Sequence, residues 1–264
     1  MTAIAVIPAR YASTRFPGKP LAQDTGRYLI QHVYERVAQA RIIARTVVAT
    51  DDRRIAKAVR SFGGEVVITR ADHPSGTDRV AEVAAGLDCD LVVNVQGDEP
   101  EIEPGFVDLL VELLAADTAC PVATLACPFS KVPGAEPADP AAVKVVVDRR
   151  GRALYFSRSL IPHCRVDADP ATGAVEPLLH LGIYAYRRSF LLELASLPPA
   201  PLEQTEHLEQ LRVLEHGREM AVAVVDRAAV GIDTPQDYAA FVRRFRQKDR
   251  PDMQPKPSSA THAR

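Results

Sequence analysis

The first half of the chain alternates short apolar runs with longer segments whose apolar residues recur every three or four positions. The short runs predict buried parallel strands, expected at 3–7, 46–50, 65–69 and 90–96. The longer segments predict amphipathic helices, expected at 28–40, 55–62, 78–85 and 104–115. This alternation predicts an α/β fold, in which a mostly parallel sheet carries helices on both faces.

The alternation stops near residue 120, where strand-like segments follow one another without helices between them. These segments are 122–127, 142–148 and 153–157, and they predict a β-rich extension over about 120–185. The rest of a domain spanning 1–245 is predicted as a strand, two helices, a strand and a helix, at 181–186, 189–196, 205–215, 220–225 and 234–245. Residues 246–264 are rich in Pro and Ser, and we expect a disordered tail there.

Composition restricts the class of protein. The 264 residues are 47% hydrophobic and 25% charged, which is ordinary for a globular domain. A net charge of -2 gives no general basic field, so a nucleic-acid partner is not expected. No apolar run is long enough to span a bilayer, and the four cysteines form no closely spaced pair. These features predict a cytoplasmic protein with no membrane partner and reduced thiols.

The loop after the first strand concentrates positive charge. Arg10, Arg15 and Lys19 lie within ten residues, among small and hydroxylated residues and three prolines that prevent a regular helix. A loop at the carboxyl end of the first strand is a usual ligand site in open α/β sheets. The segment matches neither a Walker A sequence nor G-x-G-x-x-G. The pattern predicts a site for a polyanion, most simply a nucleoside triphosphate.

Two carboxylates follow later strands of the predicted sheet. Asp98 comes after the strand 90–96, and Asp233 comes after the strand 220–225. Asp233 taken alone could simply cap the last helix. Taken with Asp98 at one sheet edge, it predicts a two-carboxylate site that holds Mg²⁺ against phosphates.

Ser75, Gly76 and Thr77 stand at the predicted start of a helix. Backbone N–H groups and hydroxyls at such a position can bind an anion or the edge of a base. The alternative interpretation is a capped helix without a ligand.

Seven motifs in this order resemble the 3-deoxy-manno-octulosonate (Kdo) cytidylyltransferase family, the CMP-Kdo synthetases, over about residues 1–245. They are I-P-A-R-Y-x-S-T-R-F-P-G-K-P-L, D-H-x-S-G-T-D-R, V-N-V-Q-G-D-E-P, L-Y-F-S-R, H-L-G-I-Y-A-Y, L-E-Q-L-R and G-I-D-T-P. The resemblance implies a Rossmann-like (GT-A-like) nucleotidyltransferase sheet and a homodimer formed through the β-rich extension. It implies that CTP and Kdo react to give CMP-Kdo, for lipopolysaccharide biosynthesis, and pyrophosphate.

The resemblance also implies residue roles. Arg10 and Lys19, with Arg15 as a helper, would bind the triphosphate, and Ser75, Gly76 and Thr77 would contact cytosine and ribose. Asp98 and Asp233 would bind Mg²⁺ and, with Arg10 and Lys19, form the catalytic set. The positions associated with the sugar acid are Gln96, Arg158, His180, Tyr184, Glu209 and Gln210. Of these, Arg158 is the natural partner of a carboxylate, because a guanidinium binds one through two parallel hydrogen bonds.

The sequence leaves two alternative functions open. Residues 163–165 and Leu179 depart from the family pattern near the expected sugar site, so a modified Kdo, such as an 8-amino form, or a nonulosonic acid is an alternative acceptor. A non-catalytic CTP-binding paralogue is the second alternative. Such a paralogue is expected to lack a metal carboxylate or a phosphate-binding cation, whereas Arg10, Lys19, Asp98 and Asp233 are all present.

Overall fold

The computed structural model describes residues 1–12, 15–163, 175–229 and 231–248. Within these ranges the chain forms nine strands. They are β1 (Ala3–Ala9), β2 (Ile43–Thr50), β3 (Glu65–Ile68), β4 (Leu91–Asn94), β5 (Val122–Pro128), β6 (Lys144–Val147), β7 (Ala153–Ser157), β8 (Leu178–Arg187) and β9 (Met220–Val224).

The described part of the chain also contains eight α-helices. They are α1 (Leu29–Val37), α2 (Arg53–Ser61), α3 (Gly76–Ala85), α4 (Pro104–Ala116), α5 (Arg188–Ser196), α6 (Pro201–Glu206), α7 (Leu211–Glu215) and α8 (Pro235–Lys248). No helix in these ranges is long and apolar enough to cross a membrane.

One sheet organises the molecule, with the strand order β3-β2-β1-β4-β8-β5-β9. All neighbours in this order run parallel except β8, which is antiparallel to both β4 and β5. The hairpin of β6 and β7 attaches to this sheet through β8. The prediction of a mostly parallel α/β sheet is therefore confirmed.

Helices cover both faces of the sheet, as predicted. On one face α1, α2 and α4 bury residues such as Ile30, Val59 and Leu110 against the strands. On the other face α3, α5 and α7 do the same with residues such as Val80 and Leu191. Since both faces are buried, strands such as β4, with Leu91-Val92-Val93, are apolar at consecutive positions rather than at alternate ones.

Three boundary predictions are wrong. The predicted helix 205–215 is two short helices, because His207 adopts a left-handed conformation (φ 52°) that ends α6. Of the predicted extension over 120–185, β5 and β8 belong to the main sheet, and only β6 and β7 lie off its path. Helix α8 continues to Lys248, so the first three residues of the predicted tail are helical. The remainder of that tail, 249–264, lies outside the described residues, as do Ser13, Thr14 and 164–174.

Candidate active site

Lys19 joins three loops at the carboxyl edge of the parallel strands. Its ammonium donates to the Asp98 carboxylate and to the Ile232 carbonyl, each at 2.7 Å, and lies 3.9 Å from the Asp233 carboxylate. The backbone N–H of Ile232 donates to the Asp98 carbonyl at 2.9 Å. The two carboxylates predicted to act together thus share one small cation. Only 12% of the Lys19 side chain is exposed, so this contact is partly shielded from water.

Gly97 allows the β4 loop to lie directly against the loop after β1. A Cβ atom at this position would stand 2.8 Å from the Pro8 carbonyl oxygen, a distance that real Cβ atoms do not adopt. Because that oxygen belongs to the backbone, it cannot turn away as a side chain could. The close approach of Asp98 to the cationic loop therefore depends on glycine at position 97.

We expect Gly97→Ala to misplace Asp98 and reduce turnover by roughly tenfold to a hundredfold. The clash should also lower the free energy of unfolding by about 1–3 kcal/mol. Gly105→Ala is the matched control, because nothing lies within 4 Å of a Cβ atom there. Steady-state rates and thermal unfolding of both variants test this. Equal rates for the two variants would contradict the close-packing explanation.

Glu99, the acid next to Asp98, has a perturbed pKa. Burial, with a smaller contribution from the Asp98 charge, raises the pKa of Glu99 to about 8. Glu99 therefore stays mainly protonated at neutral pH, and the ion pair with Lys19 is made by Asp98.

The carboxylates of Asp98 and Asp233 fit a magnesium ion. Their oxygen atoms are ligands that Mg²⁺ prefers, and both carboxylates lie within 4 Å of the Lys19 ammonium. The described residues hold no group of three or more His, Cys, Asp or Glu side chains arranged for a metal ion. Two protein carboxylates suit Mg²⁺, which usually takes its remaining ligands from water and substrate phosphates.

Arg10 and Arg15, the other two cations of the first loop, lie at the same carboxyl edge of the parallel strands. Arg15 pairs with Asp233 at 2.9 Å in an exposed contact, and the exposed Arg10 donates to the His73 carbonyl at 3.2 Å. A cleft of about 250 Å³ opens between these loops, and its lining includes Arg10, Lys19 and Asp98. The predicted triphosphate cations Arg10 and Lys19 are thus brought together beside a carboxylate.

Among residues 75–77, two side chains make hydrogen bonds within the protein and Gly76 lines a cavity. The Ser75 hydroxyl accepts from the Asp78 N–H and donates to the Asp78 carboxylate, so it caps α3 as the alternative interpretation expected. Gly76 lines the 250 Å³ cleft. The Thr77 hydroxyl donates to Glu209 at 2.6 Å, which ties α3 to the turn between α6 and α7.

A larger cavity of about 500 Å³ adjoins this cleft, and Gly76 and Gln96 line both. It also contacts Asp233, so it reaches the acidic end of the cleft. All six positions associated with the sugar acid line this one cavity: Gln96, Arg158, His180, Tyr184, Glu209 and Gln210. Glu209 and Gln210, which the sequence placed within a helix, reach it from the turn between α6 and α7.

Arg158 is held by the backbone on one side of this cavity. Its guanidinium donates to the carbonyls of Glu206 (2.7 Å), Pro140 (3.1 Å) and His207 (3.3 Å). A guanidinium has five N–H donors, so these bonds leave two for another acceptor. Two donors are what a carboxylate accepts from arginine in a bidentate pair.

His180 is neutral in this cavity. Burial lowers its pKa to about 3, and the rings of Phe156 and Tyr184 pack against it. The Thr124 hydroxyl lies against two carbonyl oxygens, those of Ile183 (2.8 Å) and Leu181 (3.2 Å), which can only accept. Its single proton therefore goes to a carbonyl, and its oxygen accepts from His180 Nε2 at 3.1 Å. The proton of the neutral imidazole is therefore on Nε2, and Nδ1 remains an acceptor.

This depressed pKa makes stability depend on pH. The pKa of this histidine in the unfolded chain is 6.5. Between about pH 6.5 and pH 3 the unfolded chain therefore binds more protons than the folded chain does. The contribution of neutral His180 is complete above pH 6.5 and is lost as the pH falls. We expect the unfolding midpoint to fall less for His180→Gln than for the unmodified protein between roughly pH 7 and pH 5. Parallel pH curves in thermal unfolding would contradict the assignment.

The sequence did not single out two further residues of the cavity. Asn94, at the end of β4, is 2% exposed, lines the cavity and has a buried side-chain oxygen without a hydrogen-bond partner. Tyr186 is buried and lines the same cavity, and burial, followed by the Glu209 charge, raises its pKa. A signal was available for Asn94, because it lies two positions before Gln96 within the predicted strand 90–96, a spacing that places both side chains on one face.

Comparison with known sequences assigns this chain to a family. The cytidylyltransferase family profile matches residues 4–220. A protein of Syntrophotalea carbinolica named 3-deoxy-manno-octulosonate cytidylyltransferase is 56% identical over 241 residues, covering 90% of this chain and 96% of that one. A protein of Geobacter metallireducens with the same name is 49% identical, covering 93% of this chain and 98% of that one.

Comparison with solved structures gives a consistent result. A CMP:2-keto-3-deoxy-manno-octonic acid synthetase in complex with CTP superposes with a TM-score of 0.87 and is 46% identical, covering 94% of this chain and 100% of that one. A 4-diphosphocytidyl-2C-methyl-D-erythritol synthase from Anaerococcus prevotii has a TM-score of 0.58 at 12% identity, covering 93% of this chain and 96% of that one. At that identity the second match is evidence for the fold alone.

Proposed function

The chain belongs to the 3-deoxy-manno-octulosonate cytidylyltransferase family, and on this basis we propose that it transfers the cytidylyl group of CTP to Kdo and releases pyrophosphate. One structural observation supports the proposal independently of sequence similarity. The cavity lined by the six sugar-acid positions opens beside the cleft that holds Arg10, Lys19 and Asp98, so a sugar acid and a triphosphate can meet at one boundary.

Arg10, Lys19 and Arg15 form the cationic side of the nucleotide site in this proposal. The anomeric hydroxyl of Kdo attacks the α-phosphorus of CTP, and pyrophosphate leaves from the opposite side. Negative charge accumulates on the phosphate oxygens during this step, and fixed positive groups stabilise it. Lys19 is well suited, because its two 2.7 Å bonds hold the ammonium in one position before any ligand arrives. Residues 75–77 would contact cytosine and ribose.

We assign Mg²⁺ to Asp98 and Asp233. The ion would neutralise triphosphate charge and act as a Lewis acid toward the phosphate oxygens. The protein's own part is to hold the two carboxylates together, which it does through Lys19 and through the bond from Ile232 N–H to the Asp98 carbonyl.

In the larger cavity, Arg158 would bind the carboxylate of the sugar acid with its two remaining donors. Gln96, His180, Tyr184, Glu209 and Gln210 would contact its hydroxyl groups. Neutral His180 offers an acceptor nitrogen, and Tyr184 stays protonated because burial raises its pKa. His180 and Tyr184, both uncharged, can recognise hydroxyls without repelling the carboxylate.

We further propose a cytoplasmic homodimer, with the product used in lipopolysaccharide biosynthesis. Exposed apolar side chains on and near the β6–β7 hairpin, such as Leu154 (61% exposed) and Leu160 (45%), support an interface there.

Pyrophosphate release tests the proposed function. The purified protein should release pyrophosphate with CTP, Mg²⁺ and Kdo, and should release far less when either substrate is omitted. Turnover with an 8-amino Kdo or a nonulosonic acid but not with Kdo would favour the alternative acceptors. Failure with every sugar acid would favour the non-catalytic paralogue.

A further inference from the structure

Lys144 is a fully buried cation that no predicted role uses. It is 0% exposed, and its ammonium donates to the Asp139 carbonyl (3.0 Å) and to the Arg158 carbonyl. It forms no ion pair with a described carboxylate, and burial lowers its pKa although the nearby charges of Asp139 and Glu206 partly oppose this. A buried ammonium is costly to desolvate, so an apolar side chain of similar size would be the simpler choice for packing alone.

A second charged side chain holds Arg158 from the opposite side. The Glu206 carboxylate accepts from the Arg158 backbone N–H at 2.9 Å and from the Ser157 hydroxyl at 2.6 Å. The backbone N–H of Arg158 is therefore bound by an anion, and its carbonyl is bound by a cation.

The same network extends to the guanidinium. Lys144 binds the carbonyl of Asp139, and the next residue, Pro140, gives its carbonyl to Arg158. Glu206 and His207 give their own carbonyls to Arg158 as well. Each segment that orients the guanidinium is thus anchored by Lys144 or contains Glu206.

We propose that Lys144 and Glu206 are positioning residues for substrate recognition, which fix Arg158 so that its two remaining N–H donors face an incoming carboxylate. This inference rests on the proposed function of Arg158. A guanidinium fixed in advance loses less side-chain entropy when it binds a carboxylate, so the benefit appears as affinity for the sugar acid. Neither residue contacts the nucleotide cleft, so the affinity for CTP should not depend on them.

Lys144→Met tests the cationic side, because it keeps the volume and removes both hydrogen bonds. We expect the KM for the sugar acid to rise by about tenfold or more while the KM for CTP changes by less than about twofold. In an Arg158→Met background the same substitution should add almost nothing, since the group that it positions is gone. The exposed Lys131→Met is the matched control. Equal changes in both KM values, or a full effect in the Arg158→Met background, would overturn the proposal.

Glu206 supplies a second pair of variants if Lys144→Met does not fold. Glu206→Gln can still accept from the Arg158 N–H while it donates to the Ser157 hydroxyl, which can accept. Glu206→Leu can do neither. We expect the leucine variant alone to raise the KM for the sugar acid substantially. Similar values for the two variants would show that the hydrogen bonds do not matter.

A measurement without turnover separates this inference from the proposed function. In ¹⁵N-labelled protein, the Arg158 Nε proton is bound to the Glu206 carbonyl, and its exchange with solvent should be slow. Its exchange rate should rise by about tenfold in Lys144→Met or Glu206→Leu. An unchanged rate would refute the positioning role, even if the protein turned over Kdo normally. Slow exchange in a protein without turnover would leave the positioning role in place and refute the function.

Discussion

Replacing Asp98 by Asn should reduce turnover by about 10³-fold or more while the protein remains folded. The amide oxygen can still accept from Lys19, so the local hydrogen bond is kept. The charge that would bind Mg²⁺ is lost, and the triphosphate then faces only the cations of the first loop. Steady-state pyrophosphate release, together with a thermal unfolding curve, measures both effects.

Glu99→Gln is the matched control for Asp98→Asn. Burial already keeps Glu99 protonated near neutral pH, so the amide replaces a neutral carboxyl of the same shape. We expect its turnover to remain within about threefold of the unmodified protein. If Asp98→Asn were as active as Glu99→Gln, the metal assignment at Asp98 would be wrong.

Replacing Lys19 by Met should reduce kcat/KM for CTP by about 10²- to 10³-fold, because a shielded ammonium at the triphosphate site is removed. It should also leave Asp98 and Asp233 without their shared cation. Mg²⁺ should therefore raise the unfolding midpoint of Lys19→Met more than that of the unmodified protein, since binding to the folded state stabilises it.

Lys57→Met on α2 is the control, because this exposed lysine lies outside both cavities. Its kcat/KM and its response to Mg²⁺ should both match those of the unmodified protein. An identical Mg²⁺ response in Lys19→Met would show that Lys19 does not share a site with the metal carboxylates.

The fold could be predicted where each element has a simple pattern. Consecutive apolar residues such as Leu91-Val92-Val93 indicated a strand buried on both faces, and the structure places β4 between β1 and β8 in the sheet. The break between α6 and α7 could not be predicted, because it depends on one residue, His207, in a left-handed conformation. The apolar pattern through 205–215 remains helical and carries no sign of this break.

The carboxyl-edge part of the site could be predicted, because parallel strands bring their following loops to one edge of the sheet. This is why Lys19, Asp98 and Asp233 meet although they are far apart in sequence. The support for Arg158 could not be predicted. Lys144 reads as an ordinary strand residue and Glu206 as an ordinary surface acid, and only the tertiary fold brings both to the backbone of Arg158.

Identification of the product tests most directly whether the protein transfers the cytidylyl group of CTP to Kdo. The protein is incubated with CTP, Kdo and Mg²⁺, and ³¹P NMR follows the phosphorus signals while mass spectrometry identifies the nucleotide product. We expect a phosphodiester between CMP and the anomeric oxygen of Kdo, formed in equal amount with pyrophosphate. Release of pyrophosphate with free CMP as the only nucleotide product, or consumption of CTP at the same rate without Kdo, would contradict this expectation.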